Sequence, residues 1–183
     1  MGRQEQTNHL FSNRDLRILL VPLIVEQILN SLMGTADSIM VSNVGSAAIS
    51  AVSLVDSINI LVIQAFYALA AGGTIVCSQY IGQKDKKNAE ESARQLSFVV
   101  ACISSAVMAV CLLTRGPLLR LIFGSVEADV MEAAQIYFFY TALSFPFIAL
   151  YDAGSSIYRA QGNTRLPMTI AVVSNGLNIA GNA

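Results

Sequence analysis

The sequence predicts an all-α membrane protein, a polytopic bundle of helices that cross the bilayer several times. Hydrophobic residues make up 54% of the 183 residues and charged residues only 13%, a balance that does not suit a soluble domain. Four stretches contain no charge and approach the length of a membrane helix; they are residues 57–83, 95–114, 133–151 and 166–183. With an apolar stretch near the start, they indicate five crossings.

The first predicted helix, residues 18–41, follows a polar leader of residues 1–17. At roughly 1.5 Å per residue it is about 36 Å long, which exceeds a hydrocarbon core of about 30 Å. The helix carries two carboxylic acids, Glu26 and Asp37, and each costs about 3 kcal/mol at mid-membrane depth. We therefore expect its acidic face to look into a protein interior or a watery cavity.

The polar side chains of this helix form one stripe. At about 100° per residue, Glu26, Asn30 and Asp37 fall within about 40° of one another around the axis. Pro22, one turn before Glu26, lacks an amide hydrogen and favours a local bend. We predict that Glu26 and Asn30 line a cleft.

The other four helices are predicted between hydrophilic or breaker segments. They are residues 49–81, 95–114, 133–158 and 167–183. Residues 82–94 are expected to form a loop and a short amphipathic helix, and Gly116-Pro117 to break the chain after the third helix. Pro146 interrupts the fourth helix, and Pro167 suits the first turn of the fifth.

The lysines and arginines predict the orientation of the chain. Nine of them lie in the leader and in the segments after the second and fourth helices, and only Arg115 and Arg120 lie on the opposite side. Because cytoplasmic loops carry the excess of Lys and Arg, we expect a multi-pass protein of the cell membrane, surrounded by lipid, with a cytoplasmic amino terminus.

Four acids lie within the predicted spans, and no Lys or Arg is expected at comparable depth. They are Glu26, Asp37, Asp56 and Asp152. A lone acid at that depth should take up a proton or bind a cation, because desolvation penalises the bare carboxylate. We assign this role to Asp37, with Na⁺ as one candidate ion, and leave Glu26 open. Asp56 near the outer interface and Asp152 paired with Arg159 are expected to be structural.

The fifth helix carries a second polar stripe. Ser174, Asn178 and Asn182 follow one another at i+4 positions, and Asn175 lies beside them. Amide side chains coordinate Na⁺ or hold a carboxylate, and they also form hydrogen bonds between membrane helices. The spacing leaves both roles open. We count Ser174 and Asn175, with Glu26 and Asn30, as candidates to line the cleft.

No arrangement of residues indicates an enzyme, a bound cofactor or a nucleic-acid partner. The only histidine, His9, lies in the leader, and the sequence has neither a Gly-x-Ser-x-Gly motif nor a Walker-type glycine loop. The three cysteines lack the spacing of a metal site and are interpreted as packing residues. A basic patch with interleaved aromatic residues is also missing.

Four passages carry a resemblance to a known family. They are Pro22 with residues 36–41 (Ala-Asp-Ser-Ile-Met-Val) and Gly45, residues 79–85 (Gln-Tyr-Ile-Gly-Gln-Lys-Asp), residues 159–168 (Arg-Ala-Gln-Gly-Asn-Thr-Arg-Leu-Pro-Met), and Asn178 with Asn182. Together they resemble the amino-terminal lobe of bacterial multidrug and toxic compound extrusion (MATE) transporters.

The resemblance implies a twelve-helix antiporter with two six-helix lobes around a central cleft. Such proteins export cationic or amphiphilic drugs and toxins in exchange for H⁺ or Na⁺. It also implies that Asp37 is a cation site with Asn178 and Asn182 beside it. With five of twelve helices, the chain is interpreted as a fragment whose partner is the second lobe. Two alternatives are a lipid-linked oligosaccharide flippase of related fold and a non-transporting membrane assembly subunit.

Overall fold

The computed structural model describes residues 13–42, 45–124 and 126–182, and the side chains of residues 36–38, 40–42 and 182 lie outside that description. Five α-helices and no strands occupy the described part of the chain. They are α1 (Asn13–Ser42), α2 (Ser46–Gly82), α3 (Lys86–Phe123), α4 (Ala128–Ala160) and α5 (Arg165–Asn182). The first four are long and apolar enough to cross a bilayer, which confirms the predicted class of a polytopic helix bundle.

The core lies between α2, α3 and α4, which all pack on one another, while α1 and α5 pack mainly against each other. Val55, Val100 and Phe138 contribute fully buried side chains from α2, α3 and α4. Phe66 meets Phe145 edge to face, with ring centroids 6.0 Å apart. A three-helix core thus carries α1 and α5 along one side.

Large apolar side chains cover the outside of the bundle. Leu113, Leu121 and Phe147 are 84%, 84% and 75% exposed. Apolar side chains on an outer surface suit hydrocarbon, because lipid tails are as apolar as leucine. The chain is therefore a multi-pass membrane protein.

The third helix is longer at both ends than the sequence predicts. Instead of a separate loop and short helix in residues 82–94, α3 begins at Lys86, because Asp85 caps it by accepting a hydrogen bond from the Asn88 amide at 3.2 Å. The predicted break at Gly116-Pro117 is wrong, since both residues lie inside α3. Membrane helices tolerate an internal proline better than soluble ones do.

The connections are correspondingly short. Gly124, with a φ of 64°, ends α3 instead of Gly116-Pro117. The fourth helix runs through Pro146 without interruption and extends to Ala160, so Arg159 is helical and not part of a loop. Asn163 accepts a hydrogen bond from the Leu166 amide at 3.3 Å and caps α5. Pro167 lies in the first turn of α5, as predicted.

Candidate functional site

A cavity of about 430 Å³ lies between α1, α2 and α4. Its polar lining consists of Glu26, Gln27, Asn30, Gln64, Asp152 and Arg159. Its apolar and aromatic lining consists of Leu23, Ile63, Tyr67 and Tyr151. A volume of this order accommodates a small organic molecule.

Helical spacing explains why these side chains converge. Glu26 and Asn30 are four residues apart on α1, so they share one face of that helix. Asp152 and Arg159 are seven residues apart on α4 and differ by only about 20° around its axis. Gln64 adds an amide from the middle of α2. Three helices thus each present a polar face to one space.

An ion pair joins α1 to the last turn of α4. Arg159 Nη2 donates a hydrogen bond to Glu26 Oε1 at 2.7 Å, and the Tyr151 hydroxyl donates to the same oxygen at 3.4 Å. Glu26 is only 4% exposed. The expectation that no basic residue reaches the depth of these acids is therefore wrong for Glu26.

The predicted pairing of Asp152 with Arg159 is also corrected. Arg159 is close enough to attract Asp152 electrostatically, but within the described residues its ion pair is with Glu26. The reason is the length of α4, whose last turn passes beside α1, together with the reach of an arginine side chain.

The hydrogen-bonding groups of this pair are not all used. Among the described residues, Glu26 Oε2 and Arg159 Nε are buried and have no hydrogen-bond partner. The cavity contains two carboxyl groups and one guanidinium. With all three groups ionised, it would hold one negative charge in excess.

Asp56 lies away from the cavity and is held by two neighbours. The Tyr137 hydroxyl donates to Asp56 Oδ1 at 3.0 Å, and Asn59 Nδ2 donates to the same oxygen at 3.3 Å. The first bond ties α2 to α4 near the start of α4.

Among the described side chains of α5, none lines the cavity. Asn175 is buried and donates from Nδ2 to the Ala171 carbonyl at 2.8 Å, within its own helix. Ser174 is exposed, and Asn178 is half-buried and has an interaction partner. The structure therefore brings Glu26 and Asn30 together with Asp152, but not with Ser174 or Asn175.

The predicted coupling residue Asp37 and its neighbour Asn182 belong to α1 and α5, and their side chains lie outside the described structure. Their helices pack against each other. At the start of α5, the Thr164 hydroxyl donates to the Ile18 carbonyl at 3.5 Å. Within the described residues, no group of three or more His, Cys, Asp or Glu side chains is placed to hold a metal ion.

Sequence reasoning missed two features of the cavity. It paired Arg159 with Asp152, seven residues earlier in the chain, and so did not identify Arg159 as the partner of Glu26. It also did not identify Tyr67 and Tyr151 as lining residues, because a tyrosine in an apolar span gives no periodic signal of its own. The seven-residue spacing from Asp152 to Arg159 was a readable sign of a shared face.

Comparison with known proteins adds a family match over most of the chain. The MatE family model matches residues 22–183. The uncharacterized transporter YisQ of Bacillus subtilis is 33% identical over 178 residues, which cover 97% of this chain and 37% of that protein. The probable multidrug resistance protein NorM of Thermotoga maritima is 26% identical over 169 residues, which cover 91% of this chain and 35% of that protein.

Solved structures share the fold. An outward-facing multidrug resistance MATE family transporter of the MOP superfamily matches with a TM-score of 0.85 and 23% identity, over 92% of this chain and 37% of that one. A MOP superfamily transporter from Pyrococcus furiosus, described as having a binding pocket of reverse polarity, matches with a TM-score of 0.85 and 22% identity, over 100% and 40%. This chain thus spans little more than a third of its relatives' length.

Proposed function

This chain belongs to the MatE family, and we propose that the protein containing it is a secondary active antiporter. In this proposal the protein exports cationic or amphiphilic compounds, such as drugs and toxins, in exchange for H⁺ or Na⁺. The relatives that match this chain include proteins named as multidrug resistance proteins and as a transporter. A second lobe, surrounded by the same membrane, would complete the cleft.

The observation that carries the proposal is the acidic cavity within an apolar bundle. A space of about 430 Å³ between α1, α2 and α4 holds two carboxyl groups and one arginine. An excess of carboxylate in a low-dielectric setting favours cationic occupants over anionic ones. The cavity therefore supports handling of positively charged small molecules.

The same observation disfavours the lipid-linked oligosaccharide flippase. Binding of phosphate groups calls for several available cationic side chains. The one arginine in this cavity, Arg159, is already held by Glu26 at 2.7 Å. We therefore retain the antiporter as the proposed function.

We place the coupling site at Asp37, with Asn178 and Asn182. The hydrogen bond from Thr164 to Ile18 brings the start of α5 next to the first part of α1. From Ile18 to Asp37 the rise is about 28 Å, and from Thr164 to Asn182 it is about 27 Å. These similar rises, together with the packing of α1 against α5, support the proposed pairing of Asp37 with Asn182.

In the proposed cycle, Asp37 accepts H⁺ or Na⁺ when it faces outward. Neutralisation of this carboxylate repacks α1 near Pro22 and lowers the affinity for a cationic substrate, which promotes release. Linkage requires that substrate binding weaken the affinity for the coupling cation by the same factor.

The test is efflux of a fluorescent organic cation from cells that express the natural protein containing this chain. With Asp37→Asn we expect efflux to fall to the background of cells without the protein, because a neutral amide neither exchanges a proton nor offers Na⁺ a negative charge. Asp129→Asn, the same change at an exposed acid of α4, should leave efflux unchanged. Efflux at the unmodified rate in Asp37→Asn would reject this mechanism.

A further inference from the structure

We propose that the cavity between α1, α2 and α4 binds one small organic molecule carrying a protonated amine, held between Glu26 and Asp152. The inference rests on the proposed function for its substrate class. It assigns the contacts with the amine to Glu26 and Asp152 and not to Asp37. Glu26 lies 11 residues before Asp37 on α1, which corresponds to about 16 Å along the helix.

The cavity contains more acidic than basic side chains. Glu26 is neutralised by Arg159 through a direct ion pair. Asp152 lines the same cavity and forms no ion pair within the described residues. The cavity keeps one negative charge in excess, with Asp152 half-buried, and an excess charge that is partly removed from water is costly. A monovalent cation in the cavity removes that cost.

The carboxylate of Glu26 has an unused hydrogen-bond acceptor. Glu26 is 4% exposed, and its Oε2 atom is buried without a hydrogen-bond partner in the described structure. An unused carboxylate oxygen beside a cavity is an acceptor that needs a donor. A protonated amine supplies two or three N–H donors as well as the positive charge. It can therefore answer both the unpartnered oxygen of Glu26 and the excess charge of the cavity.

The remaining lining of the cavity is apolar and aromatic. Leu23 and Ile63 provide apolar surface, and Tyr67 and Tyr151 provide aromatic rings. Aromatic rings near a cation add attraction through their π faces. The volume of about 430 Å³ exceeds that of a metal ion or one water and suits an amine with an aromatic part.

The experiment measures binding of naphthylethylamine to the purified protein by calorimetry in detergent. Naphthylethanol is the neutral probe of the same shape, and the trimethylammonium derivative keeps the charge but has no N–H donor. We expect the amine to bind at least about tenfold more tightly than the alcohol, because it makes charge-assisted hydrogen bonds. The trimethylammonium derivative should fall between them.

Asp152→Asn removes the excess charge and should weaken amine binding by about tenfold or more while leaving the affinity for the alcohol unchanged. Asp56→Asn is the matched control, since Asp56 lies outside the cavity and contacts Tyr137 and Asn59. A thermal unfolding curve of each variant identifies one that has lost its fold. If Asp152→Asn unfolds, Tyr67→Leu serves instead and should weaken amine binding selectively.

Equal affinities for the amine and the alcohol, or unchanged amine binding in Asp152→Asn, would overturn the proposal and leave a cavity that holds water only. The outcome is separable from that of the efflux test. Loss of efflux in Asp37→Asn with normal amine binding in Asp152→Asn would support the antiporter and reject this site. Amine binding that depends on Asp152, with full efflux in Asp37→Asn, would support this site and reject the antiporter mechanism.

Discussion

At the scale of single residues, the contact between Glu26 and Arg159 is a buried ion pair between two helices. The side chains are 6% and 25% exposed, so solvent screens their charges only weakly. A second ion pair, Glu91 with Arg94, is 43% and 77% exposed and lies within one helix. Burial makes removal of one partner costly, because the other charge is left behind in a low-dielectric setting.

We therefore predict that Arg159→Gln destabilises the protein by about 3–5 kcal/mol, whereas Arg94→Gln causes no measurable change because that pair is exposed. The measurement is the free energy of unfolding, from denaturant titration in detergent micelles. The charge-swapped double variant with Glu26→Arg and Arg159→Glu should recover part of the loss. Equal stability of the two glutamine variants would show that burial of this pair does not matter.

At the scale of helices, one glycine sets the approach of α2 to α3. A Cβ atom added at Gly73 would overlap the side chain of Leu96, whereas a Cβ at the neighbouring Gly72 meets no atom. Leu96 is 7% exposed and belongs to the core. Small residues let membrane helices pack closely. Gly73 allows this close packing where α2 contacts Leu96 of α3.

Gly73→Val should consequently destabilise the bundle by about 1–3 kcal/mol, since Leu96 must leave its rotamer or the helices must separate. Gly72→Val is the control with the same change in helix propensity, and it should be close to neutral. Thermal unfolding of both variants in micelles measures the difference. In the Gly73→Val background, Leu96→Ala is expected to restore part of the stability, and a lack of rescue would contradict steric overlap as the cause.

At the scale of the whole molecule, three helices form a packed core and two further helices pack less closely on it. The helices α2, α3 and α4 share the core cluster, whereas α1 and α5 pack mainly on each other. The ion pair from Glu26 to Arg159 and the hydrogen bond from Thr164 to Ile18 join α1 to the end of α4 and the start of α5. Movement of α1 relative to the core would have to break the ion pair of Glu26 with Arg159.

The predicted orientation is tested at this scale by cysteine labelling in intact cells. In a variant whose three native cysteines are serine, Gln83→Cys and Glu127→Cys each add one exposed thiol, on opposite ends of α3. With the amino terminus in the cytoplasm, a membrane-impermeant maleimide should label Glu127→Cys and not Gln83→Cys until the cells are opened. The opposite pattern would invert the topology.

The sequence by itself determined the class of fold, the five long helices and the family. Long uncharged stretches predict membrane helices whatever surrounds them, because the bilayer accepts few other structures. The sequence also predicted the polar stripe of Glu26 and Asn30, since helical periodicity places residues four apart on one face. The coupling site at Asp37, Asn178 and Asn182 stays a prediction.

Only the tertiary structure decided how far the helices run and which acid meets the arginine. Proline and glycine break helices in water, but packing and an apolar surrounding let α3 pass Gly116-Pro117. The extension of α4 to Ala160 then brings Arg159 to Glu26, although Asp152 is nearer along the chain. Which charges pair depends on how helices distant in sequence pack together, and spacing along one helix does not contain that information.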